Sequence, residues 1–222
     1  MKFPFLASLI IVAFFFNISM RRVSRKEEAR EMSFWEKERK SNNVRRKSLE
    51  NLDYICIPVD VLPFGTSGSN KELENSEQNV LALKDEKIVN LTGITNTDLK
   101  LEYGTANITE LSLYDQNYTA LVRALQNWGK ALYDAGRYED ATKVLEFAVK
   151  TRSDITATYK LLIDMYKTKL FLSAPEIEKK INSLIPIADN LNSLSRLTIL
   201  KLLGCDMTTD KKHASAHKIN AT

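Results

Sequence analysis

The chain has 222 residues, which is enough for one modest domain with accessory segments, and its formal net charge is +4. Residues 1–50 carry 12 Lys and Arg against 6 Asp and Glu, whereas residues 51–222 carry 20 against 22; the part expected to fold is slightly acidic, so nucleic acid is not expected as a partner. Two cysteines, 7 glycines and 5 prolines argue against a disulfide scaffold and a loop-rich β-sandwich, and favour an all-α fold.

The N-terminal segment, Phe3 to Met20, contains no ionisable side chain. An α-helix of about 18 residues spans ~27 Å, which is sufficient for the hydrocarbon core of a bilayer. Two interpretations fit this segment: an uncleaved transmembrane anchor, or a signal peptide that is removed. Asn17, Ile18 and Ser19 form a poor cleavage site, so residues 1–20 are predicted to be a retained transmembrane anchor.

The charges beside this segment predict its orientation. Lys2 precedes the span, whereas a cluster of cations follows it, and loops rich in Lys and Arg stay on the cytoplasmic side. We therefore expect a single-pass protein of the cell membrane whose C-terminal domain is cytoplasmic. Residues 21–50 are predicted to continue as a basic juxtamembrane helix, which either contacts anionic lipid headgroups or is a solvated stalk. The residues expected at the headgroups are Arg21, Arg22, Arg25 and Lys26.

Residues 51–84 are predicted to be an extended segment followed by a flexible linker. Pro58 and Pro63 disfavour helix, and the Ile and Val residues around them favour an extended chain. We call residues 52–63 the apolar ribbon. This ribbon either packs on the helical domain or is a docking site for another protein. Residues 65–79 are polar and contain Gly and Ser, which is typical of a flexible linker.

From about Asp85 the pattern becomes helical, and residues 85–205 are predicted to form the folded domain. Gly104 is expected to close a short helix, because glycine adopts the left-handed conformation without a steric cost. Asn107 and Glu110 are expected to form a capping pair at the start of the next helix.

The following stretch predicts an antiparallel helix hairpin. Apolar residues recur at steps of three and four from Leu111 to Leu132, which is one continuous stripe of a helix that Gly136 ends. A second stripe runs from Tyr138 to Val149, so the two helices are expected to fold back on each other. Small residues at the seam would let the backbones approach closely, and large ones would fill the remaining space. The residues assigned to this packing are Trp128, Gly129, Gly136, Tyr138, Ala141 and Ala148.

In this spacing the hairpin resembles the tetratricopeptide repeat, a helix pair of about 34 residues. The stretch TATYKLLIDMYK matches the next unit less regularly, because Leu170 replaces the turn glycine and Pro175 replaces a packing alanine. SAPE, at residues 173–176, is a capping box with proline in the first turn, and it predicts the start of a further helix. SLSRLTILKLLG predicts a last helix. The juxtamembrane stretch beginning FWEKERK is also similar to that of uncharacterised single-span proteins of Gram-positive anaerobic bacteria, which implies a location rather than an activity.

The residue types needed for catalysis are sparse. His213 and His217 lie in a polar tail, residues 206–222, which is predicted to be disordered; no third ligand follows them, so no metal site is expected. The sequence contains no glycine-rich phosphate loop and no nucleophile elbow. We therefore expect a protein that is not an enzyme and needs no cofactor.

The resemblance implies that the first helix of each pair lines a groove for a protein or peptide partner. Four cations among the groove residues favour an acidic or C-terminal peptide, although they also fit ordinary solvated charges. The expected function is a membrane-anchored adaptor. The alternatives are a structural membrane-surface protein that self-associates and an accessory subunit of a membrane complex; the sequence indicates no oligomeric state. The groove residues are Arg123, Gln126, Lys130, Tyr133, Lys160, Asp164 and Lys167.

Overall fold

A computed structural model describes residues 3–68 and 70–205, and of residues 3–13 and 17 it describes the backbone alone. These residues contain helices and no strand, apart from an isolated antiparallel bridge between Tyr54 and Val89, so the predicted all-α class is confirmed. The helices are α1 (Phe3–Asn42), α2 (Lys71–Leu81), α3 (Asn96–Tyr103), α4 (Ile108–Asp134), α5 (Tyr138–Lys150), α6 (Thr156–Asp164), α7 (Ala174–Asp189) and α8 (Arg196–Leu202). A 3-10 turn (Thr105–Asn107) precedes α4, and a π-helix (Met165–Lys169) continues α6.

The chain divides into two compact units. The first unit consists of Met1–Glu50 with Ile94–Thr109, and the second consists of Asn51–Gly93 with Glu110–Thr222. The second unit therefore contains α2, most of α4 and the four helices that follow it. Residues 94–109, which the sequence placed with the helical domain, lie in the first unit.

No helix within the described ranges combines the length and apolarity that crossing a membrane requires. Residues 3–20 of the predicted anchor belong to α1, but the side chains of residues 3–13 lie outside the described set. The anchor therefore stays a prediction. The predicted tail, residues 206–222 with its two histidines, lies outside the described residues altogether.

Charged side chains hold α3 against the C-terminal half of α1 in the first unit. Lys37 pairs with Asp98 at 2.6 Å, and Glu38 accepts hydrogen bonds from Lys100 and, at 2.7 Å, from the Thr97 hydroxyl. The hydrogen bond from Lys37 keeps the pKa of Asp98 below its usual value, and the bond from Lys100 does the same for the pKa of Glu38. Polar contacts therefore help to hold this helix pair together, beside the buried Leu99 of α3.

Asn107 is fully buried in the first unit, and its side chain is hydrogen-bonded to the segment that follows α1. Its amide donates to the Lys47 and Tyr103 carbonyls, each at 2.7 Å, and its oxygen accepts from Arg46 Nε at 2.8 Å. The Asn107 side chain therefore ties the segment after α1 to the end of α3, and the predicted capping pair of Asn107 with Glu110 stays a prediction. Gly104 closes α3 as expected, at a φ of 88°.

The predicted hairpin of the second unit is formed by α4 and α5. The α4 stripe from Leu111 to Leu132 is buried, and Gly136 follows α4 at a φ of 75°. The Arg137 N–H then donates to the Leu132 carbonyl at 2.9 Å, which is a common way of ending a helix at glycine. The sequence thus located both helices and the turn.

Leu145 of α5 packs directly on the backbone of Gly129 in α4. A Cβ at residue 129 would lie 2.3 Å from Leu145 Cδ2 and 2.5 Å from its Cγ, well inside van der Waals contact. Both residues are buried, and Ala141 and Ala148 on the same side of α5 are fully buried. The two helices approach as closely as they do because residue 129 has no side chain.

The apolar ribbon packs on the helical domain, which is one of the two arrangements that the sequence analysis left open. Ile57 and Leu62 are buried, and the Phe64 ring stacks on Trp128 with centroids 4.7 Å apart. The ribbon is therefore part of the core of the second unit.

Residues 71–81 form α2, where the sequence predicted a flexible linker. The Asn70 side chain accepts from the N–H groups of Glu72 and Leu73 and so caps the helix. Leu73 and Val80 are buried, and the buried carboxylate of Glu77 accepts from the Gly65 N–H and, at 2.6 Å, from the Ser67 hydroxyl. The flexible linker was predicted from the polar composition of the segment, and the few apolar residues at helical spacing were too sparse to indicate a helix.

Residues 85–95 were predicted to be helical and are not. Ile88 accepts a hydrogen bond from the Ile55 N–H at 2.9 Å, and the Leu91 N–H donates to Asp115 at 3.1 Å. Both Ile88 and Leu91 are buried, so their burial comes from an extended chain rather than from one face of a helix.

The C-terminal helices follow the sequence prediction closely. Glu176 accepts hydrogen bonds from the Ser173 N–H at 2.8 Å and from its hydroxyl at 2.6 Å, which is the capping arrangement expected at the start of α7. Tyr159 and Tyr166 are buried. The predicted last helix corresponds to α8.

We predict that Gly129→Ala destabilises the second unit. Overpacking costs roughly 1–3 kcal/mol, which exceeds the gain of about 1 kcal/mol from replacing a helical glycine by alanine. Urea unfolding should show this loss, and the added Leu145→Ala substitution, which removes the clashing side chain, should make the double variant less destabilised than the sum of the two single variants. An increase in stability for Gly129→Ala alone would contradict the packing.

We predict that Asn107→Asp loosens the first unit, because the new carboxylate would face two carbonyl oxygens. Leaving these buried groups unpaired costs about 1–3 kcal/mol. Hydrogen exchange of the α3 amides should accelerate by roughly 10-fold or more, since 1.4 kcal/mol corresponds to a factor of about ten. Asn127→Asp, at an exposed position of α4, is the matched control. Equal exchange in both variants would show that Asn107 does not hold the unit.

Candidate protein-binding face

Two hydrogen bonds join α4 to α6. The Thr158 hydroxyl donates to Gln126 Oε1 at 2.6 Å, and the Tyr133 hydroxyl donates to Asp164 Oδ2 at 2.6 Å. Near the start of α4, the Tyr118 hydroxyl donates to the Arg152 carbonyl at 2.9 Å. The first helices of the two successive hairpins therefore lie side by side.

The seven predicted groove residues occupy adjoining parts of these two helices. On α4 they recur at intervals of three and four, which places them on one side of the helix, and Lys160 and Asp164 share one side of α6; Lys167 follows in the π-helical extension and is exposed. We call this surface the α4–α6 face. It consists of Arg123, Gln126, Lys130, Tyr133, Lys160, Asp164 and Lys167.

Three members of the face are half-buried and bind other residues of the protein. Gln126, Tyr133 and Asp164 make the two cross-helix hydrogen bonds, and Asp164 also accepts from the Thr168 hydroxyl at 3.2 Å. Their contribution is to align the helices and to fix the shape of the surface.

The cations of the face are exposed and differ in their pairing. Lys130 pairs with Asp134 one turn along α4, and this hydrogen bond raises the pKa of Lys130. Within the part of the chain that the structure describes, Arg123, Lys160 and Lys167 form no ion pair. These three side chains are therefore the ones available to an anionic partner.

An aromatic cluster lies at one end of the face. The Tyr133 and Tyr138 rings meet edge to face with centroids 5.3 Å apart, and Lys169 Nζ lies 6.0 Å from the first centroid and 5.4 Å from the second. Sequence reasoning missed Lys169, because it lies in the π-helix, where each turn contains an extra residue and the regular spacing no longer predicts the direction of a side chain.

The residues assigned to repeat packing lie at or near the α4–α5 seam, with Gly136 exposed in the turn. Trp128, Gly129, Ala141 and Ala148 are buried, and Tyr138 is half-buried. The four cations assigned to lipid headgroups, Arg21, Arg22, Arg25 and Lys26, are exposed on α1.

The described residues contain no group of three or more His, Cys, Asp and Glu side chains that could hold a metal ion. Cys56 is exposed and Cys205 is half-buried, and both are free thiols.

We predict that the Tyr133–Asp164 bond makes stability fall at alkaline pH. The hydrogen bond to Asp164, with burial and the charge of that carboxylate, raises the pKa of Tyr133 to about 12. An unfolded tyrosine ionises near pH ~10, so the contribution is complete below that pH and is lost as the pH rises through about 12.

Urea unfolding should be measured at several pH values from neutral to about 12. We expect the free energy of unfolding of Tyr133→Phe to fall less with rising pH than that of the wild-type protein. Tyr138→Phe keeps the neighbouring ring and the Tyr133 bond, and it serves as the control. An alkaline profile identical in wild-type protein and Tyr133→Phe would mean that the bond does not form.

The chain was compared with models of known protein families, with curated proteins and with solved structures, and none of them matches it.

Proposed function

We propose that this protein is a membrane-anchored adaptor whose α4–α6 face binds an acidic segment of a partner protein, without enzymatic activity. The observation that carries the proposal is the pair of hydrogen bonds, Gln126 to Thr158 and Tyr133 to Asp164. These bonds fix two helices side by side, and Arg123 on α4, Lys160 on α6 and Lys167 on the π-helix are exposed.

The charges of the face favour an anionic ligand. Asp164 is hydrogen-bonded to Tyr133 and Asp134 is paired with Lys130, so these two carboxylates already have partners. Of the exposed cations, Arg123, Lys160 and Lys167 form no ion pair with any described residue. Complementary charge of this kind increases the rate of association and selects the partner. An acidic peptide, or the free carboxylate at the end of a chain, fits these groups best.

The resemblance of the α4–α5 hairpin to the tetratricopeptide repeat supports the same proposal. α4 and α6 would be the first helices of two successive units, and α5 and α7 the second helices. In this view the π-helix at the end of α6 and the proline near the start of α7 are the irregularities of the second unit.

The membrane location rests on the N-terminal sequence. We propose that residues 1–20 stay in the bilayer and that the remainder of the chain is cytoplasmic. α1 continues without interruption to Asn42, which fits a helix that leaves the membrane as a basic stalk. Arg21, Arg22, Arg25 and Lys26 would then lie at the headgroups, where each cation contributes about 1 kcal/mol on an anionic surface.

We predict that Lys160→Ala with Lys167→Ala weakens peptide binding without lowering the melting temperature. Exposed ion pairs contribute roughly 0.2–1 kcal/mol each, so the loss of two should weaken binding by about 2-fold to 30-fold. The full chain is tested on an array of acidic peptides, each with a free or an amidated C-terminus, and dissociation constants are then measured for the retained peptides.

The control is Lys179→Ala with Lys201→Ala, which removes two exposed lysines of α7 and α8. Retained peptides that bind both double variants equally would reject the α4–α6 face as the binding surface. An array on which acidic peptides are not preferred would reject an anionic partner.

A further inference from the structure

The second helices of the hairpins, α5 and α7, border a groove of about 490 Å³ that is also lined by the ribbon from Pro58 to Leu62 and by Tyr166 of the π-helix. We call it the α5–α7 groove. Ligand sites for small molecules have volumes of roughly 300–1,000 Å³, so the groove has the size of such a site. It is separate from the α4–α6 face, which is formed by the first helices.

The inner surface of the groove is apolar. Leu62, Val149 and Leu184 are buried and line it, and Phe147 and Ile187 are half-buried beside them. These five side chains come from the ribbon, α5 and α7. Contact with an apolar ligand would remove their remaining exposed surface from water, which is favourable at about 25 cal/mol per Å².

The polar groups along the inner side of the groove, Glu146, Tyr166, Lys180 and Ser183, already have partners. Glu146 Oε1 accepts from the Tyr166 hydroxyl at 2.7 Å and from Lys180 Nζ at 2.8 Å, and the Ser183 hydroxyl donates to the Lys180 carbonyl at 2.6 Å. An extended peptide would bring its own N–H and C=O groups to this surface and find few partners, at a cost for each unpaired group. An alkyl chain carries no such groups.

The rim of the groove is cationic. Lys143, Lys150 and Lys180 line it together with a single carboxylate, Glu146. Lys180 pairs with Glu146, and Lys143 lies 3.3 Å from Asp140. Lys150 forms no ion pair with any described residue and is exposed beside the apolar surface. An anionic group held here would therefore lie next to a hydrophobic wall.

We propose that the α5–α7 groove binds an anionic amphiphile: a long alkyl chain on the apolar surface and a carboxylate or phosphate head at Lys150. This is a ligand site in addition to the protein-binding face, and it does not depend on that face being correct. The same chemistry is found in a free fatty acid and in an anionic membrane lipid. The two sources differ in whether the ligand arrives from solution or from the bilayer.

Val61 provides a way to block the site without disturbing the core. It lies at the groove and is 68% exposed, so a larger side chain has room to rotate over the apolar surface. Val61→Trp should fill the groove. Lys150→Glu should repel the anionic head, Lys150→Arg should restore binding, and Lys201→Glu on α8 is the charge-matched control outside the groove.

The experiment uses the full chain in lipid nanodiscs and two photoactivatable probes. One is hexadecanoate carrying a diazirine, added to zwitterionic discs, and the other is a diazirine phosphatidylglycerol built into the discs. After irradiation, labelled peptides are identified by mass spectrometry. We expect label on the ribbon, α5 and α7, reduced at least fivefold by Val61→Trp and Lys150→Glu and unchanged by Lys201→Glu. Excess unlabelled hexadecanoate should compete better than hexadecanol.

Sensitivity to the two groove variants with the free carboxylate alone identifies a soluble amphiphile as the ligand. The same sensitivity with the phospholipid probe identifies a membrane lipid. Absence of label from the ribbon, α5 and α7, or labelling of the groove that neither variant reduces, overturns the proposal; label on residues 1–20 from the phospholipid probe is expected from the anchor and does not count. Circular dichroism spectra and melting temperatures equal to those of the wild type ensure that the variants are folded.

Discussion

The contact between Leu145 and Gly129 is the constraint on which the second unit depends. Any Cβ at residue 129 would overlap the leucine side chain, so the closeness of α4 and α5 requires glycine there. The turn at Gly136 reverses the chain, and the fully buried Ala141 and Ala148 keep the rest of the α5 seam free of large side chains. Once this hairpin is fixed, α4 is left to pair with α6, and α5 is left to pack against α6 and α7.

This division gives the second unit two surfaces of different chemistry. The α4–α6 face is set by hydrogen bonds between helices, and its exposed cations suit a partner that is polar and negatively charged. The α5–α7 groove is set by apolar side chains, with the ribbon as a wall and lysines at its edge. An adaptor with both would respond to a protein segment on one side and to an amphiphile on the other. α5 contacts both α6, which belongs to the α4–α6 face, and α7, which belongs to the groove. The two proposed ligands would therefore bind to surfaces that are joined through the same helix.

The sequence predicted the elements whose evidence is local and periodic. The α4 stripe, the turn at Gly136 and the capping of α7 by Glu176 follow from spacing and from single residue types, and all three are present. The failures came where tertiary contacts decided the conformation. α2 was hidden because its composition is polar, and residues 85–95 resemble a helix but are held extended by bonds to the ribbon and α4. The spacing of residues along the sequence predicted which side chains belong to the α4–α6 face. The Tyr133–Asp164 hydrogen bond and the location of Lys169 could not be predicted, because both depend on how α6 and its π-helix pack, and no local sequence pattern encodes that packing.

The central claim is that α4 and α6 lie side by side with Gln126 opposite Thr158. It is tested most directly through the second bond between the same helices: a short bifunctional maleimide is applied to the variant Tyr133→Cys with Asp164→Cys, whose side chains are half-buried, in a chain whose Cys56 and Cys205 are replaced by serine. The account predicts rapid crosslinking within one chain for this pair, and none for Arg123→Cys with Lys167→Cys, which lie at opposite ends of the face. Crosslinking of the distant pair at an equal rate, or of neither pair, would contradict the arrangement of the two helices.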